Sequence, residues 1–469
     1  MTAKRTLVAL LVVAAVVCVV LALRGDEAPA RADRSRALGT PLWSPRRVPQ
    51  PIVDAVGALR LQAALDRETA NVDACFVVQS SGGSAALAVR APDTAVLPAS
   101  TQKLLTTAAA LAIIGPDTTL ETRAVAPAAL SNGQVDRLYL VGGGDPLLLT
   151  PDFQALLEEK PETRGAPATQ LSALADSIVA AGVRSIPGGV VGDDSRYEPL
   201  RYLPSWSDSY RTEGQSGPIG ALTVNHGFSA LRPRPVPVGD PAAFAADQLS
   251  VLLRARGVTV GGAGSSGKTP DGAMEVAKIA SPPLKDIVVD VLRTSDNLAA
   301  EMLVREIGFR VSQQGTTAAG TQAIVAKLAE LGVPTTNVMM VDGSGLSRED
   351  RVTCQAEAAT LSLGAQPGMQ ALWDGLPVAG ESGTLQDELR GTPLQSHLRA
   401  KTGFLNGVTG LSGLVDVKAP LQFAFVANGA LSEAGAVALR GRFAGVLGTF
   451  PDAPPADQLV PAPAASTSP

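Results

Sequence analysis

Ser100 and Lys103 stand three residues apart at the head of the apolar run Pro98-Ala-Ser-Thr-Gln-Lys-Leu-Leu-Thr-Thr-Ala-Ala-Ala-Leu-Ala-Ile-Ile114. In a helix that spacing puts both side chains on one face, so the lysine can reach the serine hydroxyl. A serine at this position can simply cap the helix. With an amine in reach it can also be a nucleophile, provided the amine is neutral. A lysine, ordinarily near pKa 10.4, serves as that base only if burial or a second cation lowers its value. Leu104, Leu105, Ala108, Leu111 and Ala112 predict a buried helix whose first turn forms the floor of a cleft. The chemistry predicts another cation close by.

Two further clusters meet that expectation. Ser295-Asp296-Asn297 is a polar break between two helical runs within residues 283–303, and Lys401-Thr402-Gly403 precedes the strand-like run 410–415. Taken singly, the first reads as ordinary turn residues and the second as a solvated strand end. Ser-x-x-Lys, Ser-x-Asn and Lys-Thr-Gly occur together, in this order, in class A β-lactamases and penicillin-binding proteins.

The likeness extends to Gly142-Gly-Gly-Asp-Pro146, Asp342-Gly-Ser-Gly-Leu-Ser-Arg348, Leu376-Pro-Val-Ala-Gly380, Ser382-Gly-Thr-Leu385 and Ala400-Lys-Thr-Gly403. With these motifs the chain, from about residue 50 to 450, resembles the class C low-molecular-mass penicillin-binding proteins, serine D-Ala-D-Ala carboxypeptidase/endopeptidases. The resemblance implies an α/β (α+β) penicillin-binding/serine β-lactamase-like transpeptidase fold with one inserted mixed α/β domain. It implies Ser100 as nucleophile, Lys103 as its base, and Lys401 as the ammonium that keeps Lys103 neutral. Ser295 would relay a proton to the departing amine, and Asn297 would hold Lys103 and the substrate amide. Thr402, with Lys401, would bind a terminal carboxylate; Gly403 and Phe404 continue that strand. The backbone N–H groups of Ser100 and Phe404 would form the oxyanion hole. Phe404 stands where the family usually has Ser or Thr, so a hydroxyl is lost there. Asp208, two residues after Trp206, resembles a family aspartate that binds the free amine of a diaminopimelate stem peptide. Implied partners are peptidoglycan stem peptides and acylating β-lactams, with no cofactor or metal. A β-lactamase or esterase of the same fold and a non-catalytic wall-binding homologue are the alternatives; no carboxylate motif like the class A deacylation base is visible.

The rest of the 469-residue chain must position these groups. Lys4 and Arg5 precede an uncharged apolar run at 7–23, which reads as a signal anchor or signal peptide over 1–24 that puts the body at the outer face of the cytoplasmic membrane or in the cell-wall space. Residues 25–50 read as a linker, 51–122 and 282–450 as two parts of the penicillin-binding domain, 123–281 as an inserted domain, and 451–469 as a disordered tail. A net charge of -5 gives no basic footprint for nucleic acid. The two histidines, His226 and His397, lie in no recognisable catalytic or metal motif and read as structural. Gly262-Ala-Gly-Ser-Ser-Gly-Lys-Thr269 matches a phosphate-loop pattern, but a strand-like run follows where that loop needs a helix. Export, with Cys18 inside the apolar run, leaves Cys75 and Cys354 to pair.

Overall fold

Asp73-Ala-Cys-Phe-Val-Val-Gln-Ser80 is apolar at nearly every central position, the pattern of a strand covered on both faces. In the computed structural model, which describes residues 50–83 and 85–453, this is a strand inside a five-stranded sheet. The calls on 1–49 and 454–469, including the apolar run, lie outside the described residues. Among the described residues no helix is long and apolar enough to cross a membrane.

The chain begins with α1 (Gln50–Glu68), β1 (Asp73–Ser80) and β2 (Ala86–Arg90), then passes through a single 3-10 turn (Ala99–Gln102) into α2 (Lys103–Ile114). The next segment holds β3 (Glu121–Ala126), β4 (Leu138–Val141), α3 (Pro151–Glu158), α4 (Leu171–Ala180), β5 (Val190–Asp193), α5 (Asp208–Glu213), α6 (Pro241–Arg254), β6 (Ser265–Ser266) and β7 (Met274–Ala280). There follow α7 (Leu284–Thr294), α8 (Asn297–Ser312), α9 (Thr317–Glu330), α10 (Cys354–Ser362), β8 (Leu398–Leu405), β9 (Val408–Asp416), β10 (Pro420–Asn428) and α11 (Glu433–Thr449).

The first sheet has the order β8-β9-β10-β1-β2, so early and late parts of the chain are knitted together by the antiparallel pair β1 and β10. Period-two alternation sends Cys75 and Val77 to one face, against a core that includes α2 and residues of α7 to α10. Ala74, Phe76 and Val78 face the other way, into a core shared with α1 and α11. A disulfide joins Cys75 on β1 to Cys354 at the start of α10, with the Cα atoms 5.8 Å apart.

The second sheet, β6-β5-β4-β3-β7, is built wholly from the segment between α2 and α7. Its outer pair, β3 with β7, matches Glu121 with Ala280, so the chain leaves and re-enters at adjacent points. Gly262 to Thr269 carries the short β6 and leads on to strand β7 rather than a helix. One detail departs from the apolar pattern: Ala112 is exposed, because α2 buries its first two turns and lets the far side of its last turn reach solvent.

Candidate active site

Ser100 lies on the 3-10 turn rather than in the α-helix proper, and Lys103 is the first residue of α2. Two glycines let neighbouring backbone close on that turn. A Cβ on Gly345, whose φ is +79°, would lie 1.9 Å from the Ala99 carbonyl oxygen; one on Gly403 would lie 2.8 Å from that of Pro98. The Ser100 turn is thus clamped between the 342–347 loop and β8.

Lys103 is 0% exposed, and its Nζ lies 3.0 Å from Ser100 Oγ, 2.6 Å from Asn297 Oδ1 and 2.7 Å from the Ser344 carbonyl oxygen. A neutral amine has two N–H donors and one lone pair. The two carbonyl oxygens take the donors, so the lone pair faces the Ser100 hydroxyl. After proton transfer the ammonium has three donors for the same three oxygens.

Burial pushes Lys103 down to about 8, against the attraction of Asp342, Glu301, Asp296 and Asp350. Glu301 is itself pushed up to about 8 by burial and then by Asp342. Burial and Asp342 likewise hold Asp350 well above the carboxylate range. Glu301, at about 8, is therefore largely protonated at neutral pH and attracts Lys103 less than a full carboxylate would. The sequence left burial and a second cation as the two possible causes of a lowered Lys103 value, with Lys401 as the cation that helps. In the structure desolvation lowers it, and the repulsion registers on Lys401, held well below the usual lysine range by burial, Lys103 and Arg440. No carboxylate is among the groups acting on Lys401, so nothing there offsets its burial.

Lys401 Nζ donates to Ser295 Oγ and to the Thr402 carbonyl, each at 2.9 Å. Ser295 ends α7 in the left-handed region, φ 62°, and Asp296 then caps α8 by accepting from Ala299 N at 2.9 Å. This reversal between two apolar helices turns the Ser295 hydroxyl toward Lys401 and Asn297 toward Lys103. Asn297 Nδ2 donates to the Gln215 carbonyl at 2.6 Å. Ser100, Ser295, Asn297, Thr402 and Phe404 line one cavity of about 800 Å³.

Several contributors carry no role in the sequence reading. Glu301 accepts from Gly343 N and Ser344 N at 2.9 and 2.7 Å, which fixes the carbonyl that holds Lys103. Asp342 accepts from Trp206 Nε1 at 2.8 Å, tying the second-sheet segment to this loop. Thr384 Oγ1 lies 2.7 Å from Thr402 Oγ1. Glu357 accepts from Thr101 and Ser412, each at 2.5 Å, behind the Ser100 turn. The motifs at 342–348 and 382–385 were legible; the single acids Glu301 and Glu357 had no motif to mark them. His226 lines the cavity and pairs through Nδ1 with Asp296 Oδ2 at 2.9 Å, while His397 is exposed. Asp208 is exposed on the first turn of α5; Ser207, Ser209, Tyr210 and Glu213 line the cavity there, and Asp208 does not.

The chain matches the D-Ala-D-Ala carboxypeptidase 3 (S13) family over residues 59–237 and 230–447. It is 32% identical over 413 residues to the D-alanyl-D-alanine carboxypeptidase of Actinomadura sp. (strain R39), covering 71% of this chain and 73% of that one. A carboxypeptidase of Mycobacterium tuberculosis is 31% identical over 349 residues, 72% of each chain. The fold resembles the crystal structure of penicillin binding protein 4 from Haemophilus influenzae, with a TM-score of 0.69 at 22% identity over 82% of this chain and 99% of that one. The chain therefore belongs to the D-Ala-D-Ala carboxypeptidase 3 (S13) family, the class C low-molecular-mass penicillin-binding proteins.

Proposed function

We propose that this serine D-Ala-D-Ala peptidase of peptidoglycan stem peptides works through an acyl-enzyme on Ser100, with Lys103 as the base. The observation that carries this reading is the buried Lys103, its two donors engaged and its remaining position 3.0 Å from Ser100 Oγ. A terminal carboxylate docked at Thr402 brings a negative charge up to Lys401. It favours a proton on Lys401, and that charge keeps Lys103 neutral. Ser100 Oγ then bonds to the D-alanyl carbonyl carbon while its proton passes to Lys103. The oxyanion is held by the Ser100 and Phe404 backbone N–H groups. As the C–N bond breaks, Ser295 gives its proton to the departing amine and takes one from Lys401. In deacylation, water bonds to the acyl carbon and its proton goes back through Ser295 to Lys401. Lys103 returns its own proton to Ser100.

The strained amide of penicillin enters the same path, but its leaving group stays attached. Three buried acids near Ser100 are out of play as a second base: Glu357 is filled by two hydroxyls, and neither Asp342 nor Glu301 lines the cavity. The adduct should persist for minutes or longer. Mass spectrometry of penicillin-treated protein should find it on the Ser100 peptide, whereas fast catalytic turnover of penicillin would favour a β-lactamase instead.

Substrate choice on the donor side is assigned to Asp208, on the strength of its carboxylate lying on α5 next to cavity-lining Ser207 and Ser209. A free stem-peptide amine would gain a charge-assisted hydrogen bond there. Asp208→Asn should lower kcat/KM for an amine-bearing donor, relative to its acetylated form, by about 10- to 100-fold, the equivalent of roughly 1 to 3 kcal/mol. Equal loss on both donors would assign Asp208 to the fold alone. The apolar run at 7–23 is the proposed export signal, retained as an anchor or cleaved, that brings the enzyme to its substrate outside the cytoplasmic membrane.

A further inference from the structure

Asp290 is a buried acid that the acyl-transfer chemistry leaves unused. It lies on α7, one turn before Thr294, whose hydroxyl donates to the Asp290 backbone carbonyl at 2.9 Å. The residue is 6% exposed, yet it lines the same cavity as Ser100. Its carboxylate takes part in no hydrogen bond or ion pair among the described residues; the charged groups acting on it are Asp296, His226 and Arg293. His226 pairs through Nδ1 with Asp296 Oδ2 at 2.9 Å and acts on Asp290 by charge alone, without a hydrogen bond to it. Asp296 is likewise occupied, its Oδ1 capping α8. Burial and the negative charge of Asp296 push Asp290 up to about 7, and the pull of His226 and Arg293, neither of which bonds to it, does not offset them.

The place of Asp290 follows from its neighbours. A Cβ on Gly383 would lie 2.3 Å from the Arg293 carbonyl oxygen, so the end of α7 packs directly against the turn that bears Thr384. Thr384 in turn contacts Thr402 at 2.7 Å. With the terminal carboxylate at Thr402 and Lys401, this is the side where the leaving group sits. Thr384 and Thr402 line a cavity whose other walls include Asp290, His226, Phe153 and Leu157. Phe153 stacks on the His226 ring with centroids 6.0 Å apart, giving an apolar wall beside the acid. Glu158 and Lys160 also line the cavity, as opposite charges.

We infer that this part of the cavity is a leaving-group subsite in which the Asp290 carboxylate receives a primary ammonium and Phe153 and Leu157 cover the carbon chain that carries it. It rests on the catalytic reading above and extends it. The preferred leaving group is then larger than alanine and basic: a D-amino acid joined through its α-amine and carrying a second, free amine on its side chain. A buried carboxylate and an ammonium form a charge-assisted hydrogen bond in a site with little water to compete.

The test compares N-acyl-D-alanyl-D-lysine with the same peptide acetylated on Nε. The unsubstituted enzyme should release D-lysine with kcat/KM at least about tenfold above that for Nε-acetyl-D-lysine. In Asp290→Asn, nearly the same shape without the charge, that ratio should fall to about one. Because the readout is a ratio, a general loss of activity cancels. D-Lysine should also inhibit the unsubstituted enzyme at least about tenfold more strongly than Nε-acetyl-D-lysine, a measurement that needs no variant. A ratio near one in the unsubstituted enzyme, a preference that survives Asp290→Asn, or equal inhibition by the two amino acids overturns the subsite. Failure of the catalytic reading looks different: the unsubstituted protein would not be acylated by penicillin at Ser100, and the subsite would fall with it.

Discussion

Penicillin labelling should vanish in Ser100→Ala and slow by about a hundredfold to ten-thousandfold in Lys103→Ala, the range that general-base catalysis supplies. Lys103→Arg should not rescue it, because a guanidinium keeps its positive charge but cannot give up its proton to become a base. If Lys103 mattered only as a buried cation, arginine would restore much of the rate. The pH dependence follows from the same group. Lys103 stands at about 8 in the free site, and only the neutral amine accepts the serine proton. At saturating penicillin, with a carboxylate against Lys401, Lys401 holds its proton and repels one on Lys103. The first-order acylation rate should therefore rise with pH and level off at or below about pH 8. A rate that falls as pH goes from 6 to 8 would remove Lys103 as the base.

The same residue marks how far the sequence could be read. The Ser100 and Lys103 spacing, the polar break at Ser295 to Asn297 and the Lys401 strand are local patterns; backbone geometry nearly dictates the first contact, while the other two were legible as motifs whose partners lie far away in the chain. The structure gives each its contact: 3.0 Å from Lys103 to Ser100, 2.6 Å from Lys103 to Asn297, 2.9 Å from Lys401 to Ser295. Strands such as Asp73–Ser80 were legible for a similar reason, since burial on both faces leaves its mark on consecutive residues. The depressed Lys103 value was legible with two candidate causes, burial and a second cation, but not which of them dominates. A second cation can be found in a motif, whereas desolvation depends on how α2, α8 and the 342–347 loop pack together. Glu301 and Asp290 were illegible for that reason too. Each is one acid in a helix, and only tertiary packing turns the first toward the Ser344 backbone and leaves the second facing the cavity without a partner. Asp208 is the converse case. Its local pattern was visible, yet the helix carrying it presents Ser207, Ser209, Tyr210 and Glu213 to the cavity.

Gly345→Ala should slow acylation by about a hundredfold without touching any group that reacts. The residue sits at φ +79°, a conformation that a Cβ disfavours by roughly 1 to 2 kcal/mol. The larger effect is steric, because the added atom would lie 1.9 Å from the Ala99 carbonyl oxygen, one residue before the nucleophile. Neither side can yield easily. The loop is held by Gly345 N donating to Asp342 Oδ1 at 2.7 Å and by the two Glu301 contacts. The nucleophile turn is backed by β8, where Gly403 is already close to Pro98. Relief of the clash must therefore move the Ser344 carbonyl away from Lys103, or Ser100 away from its base. A displacement of about 1 Å in a reacting group costs on the order of a hundredfold in rate. The measurement is the second-order acylation rate of Gly345→Ala, read beside its melting temperature and that of Gly403→Ala, whose nearest contact is less severe. An unchanged acylation rate in a folded Gly345→Ala protein would show that the loop can give way, and that the clamp does not position Ser100.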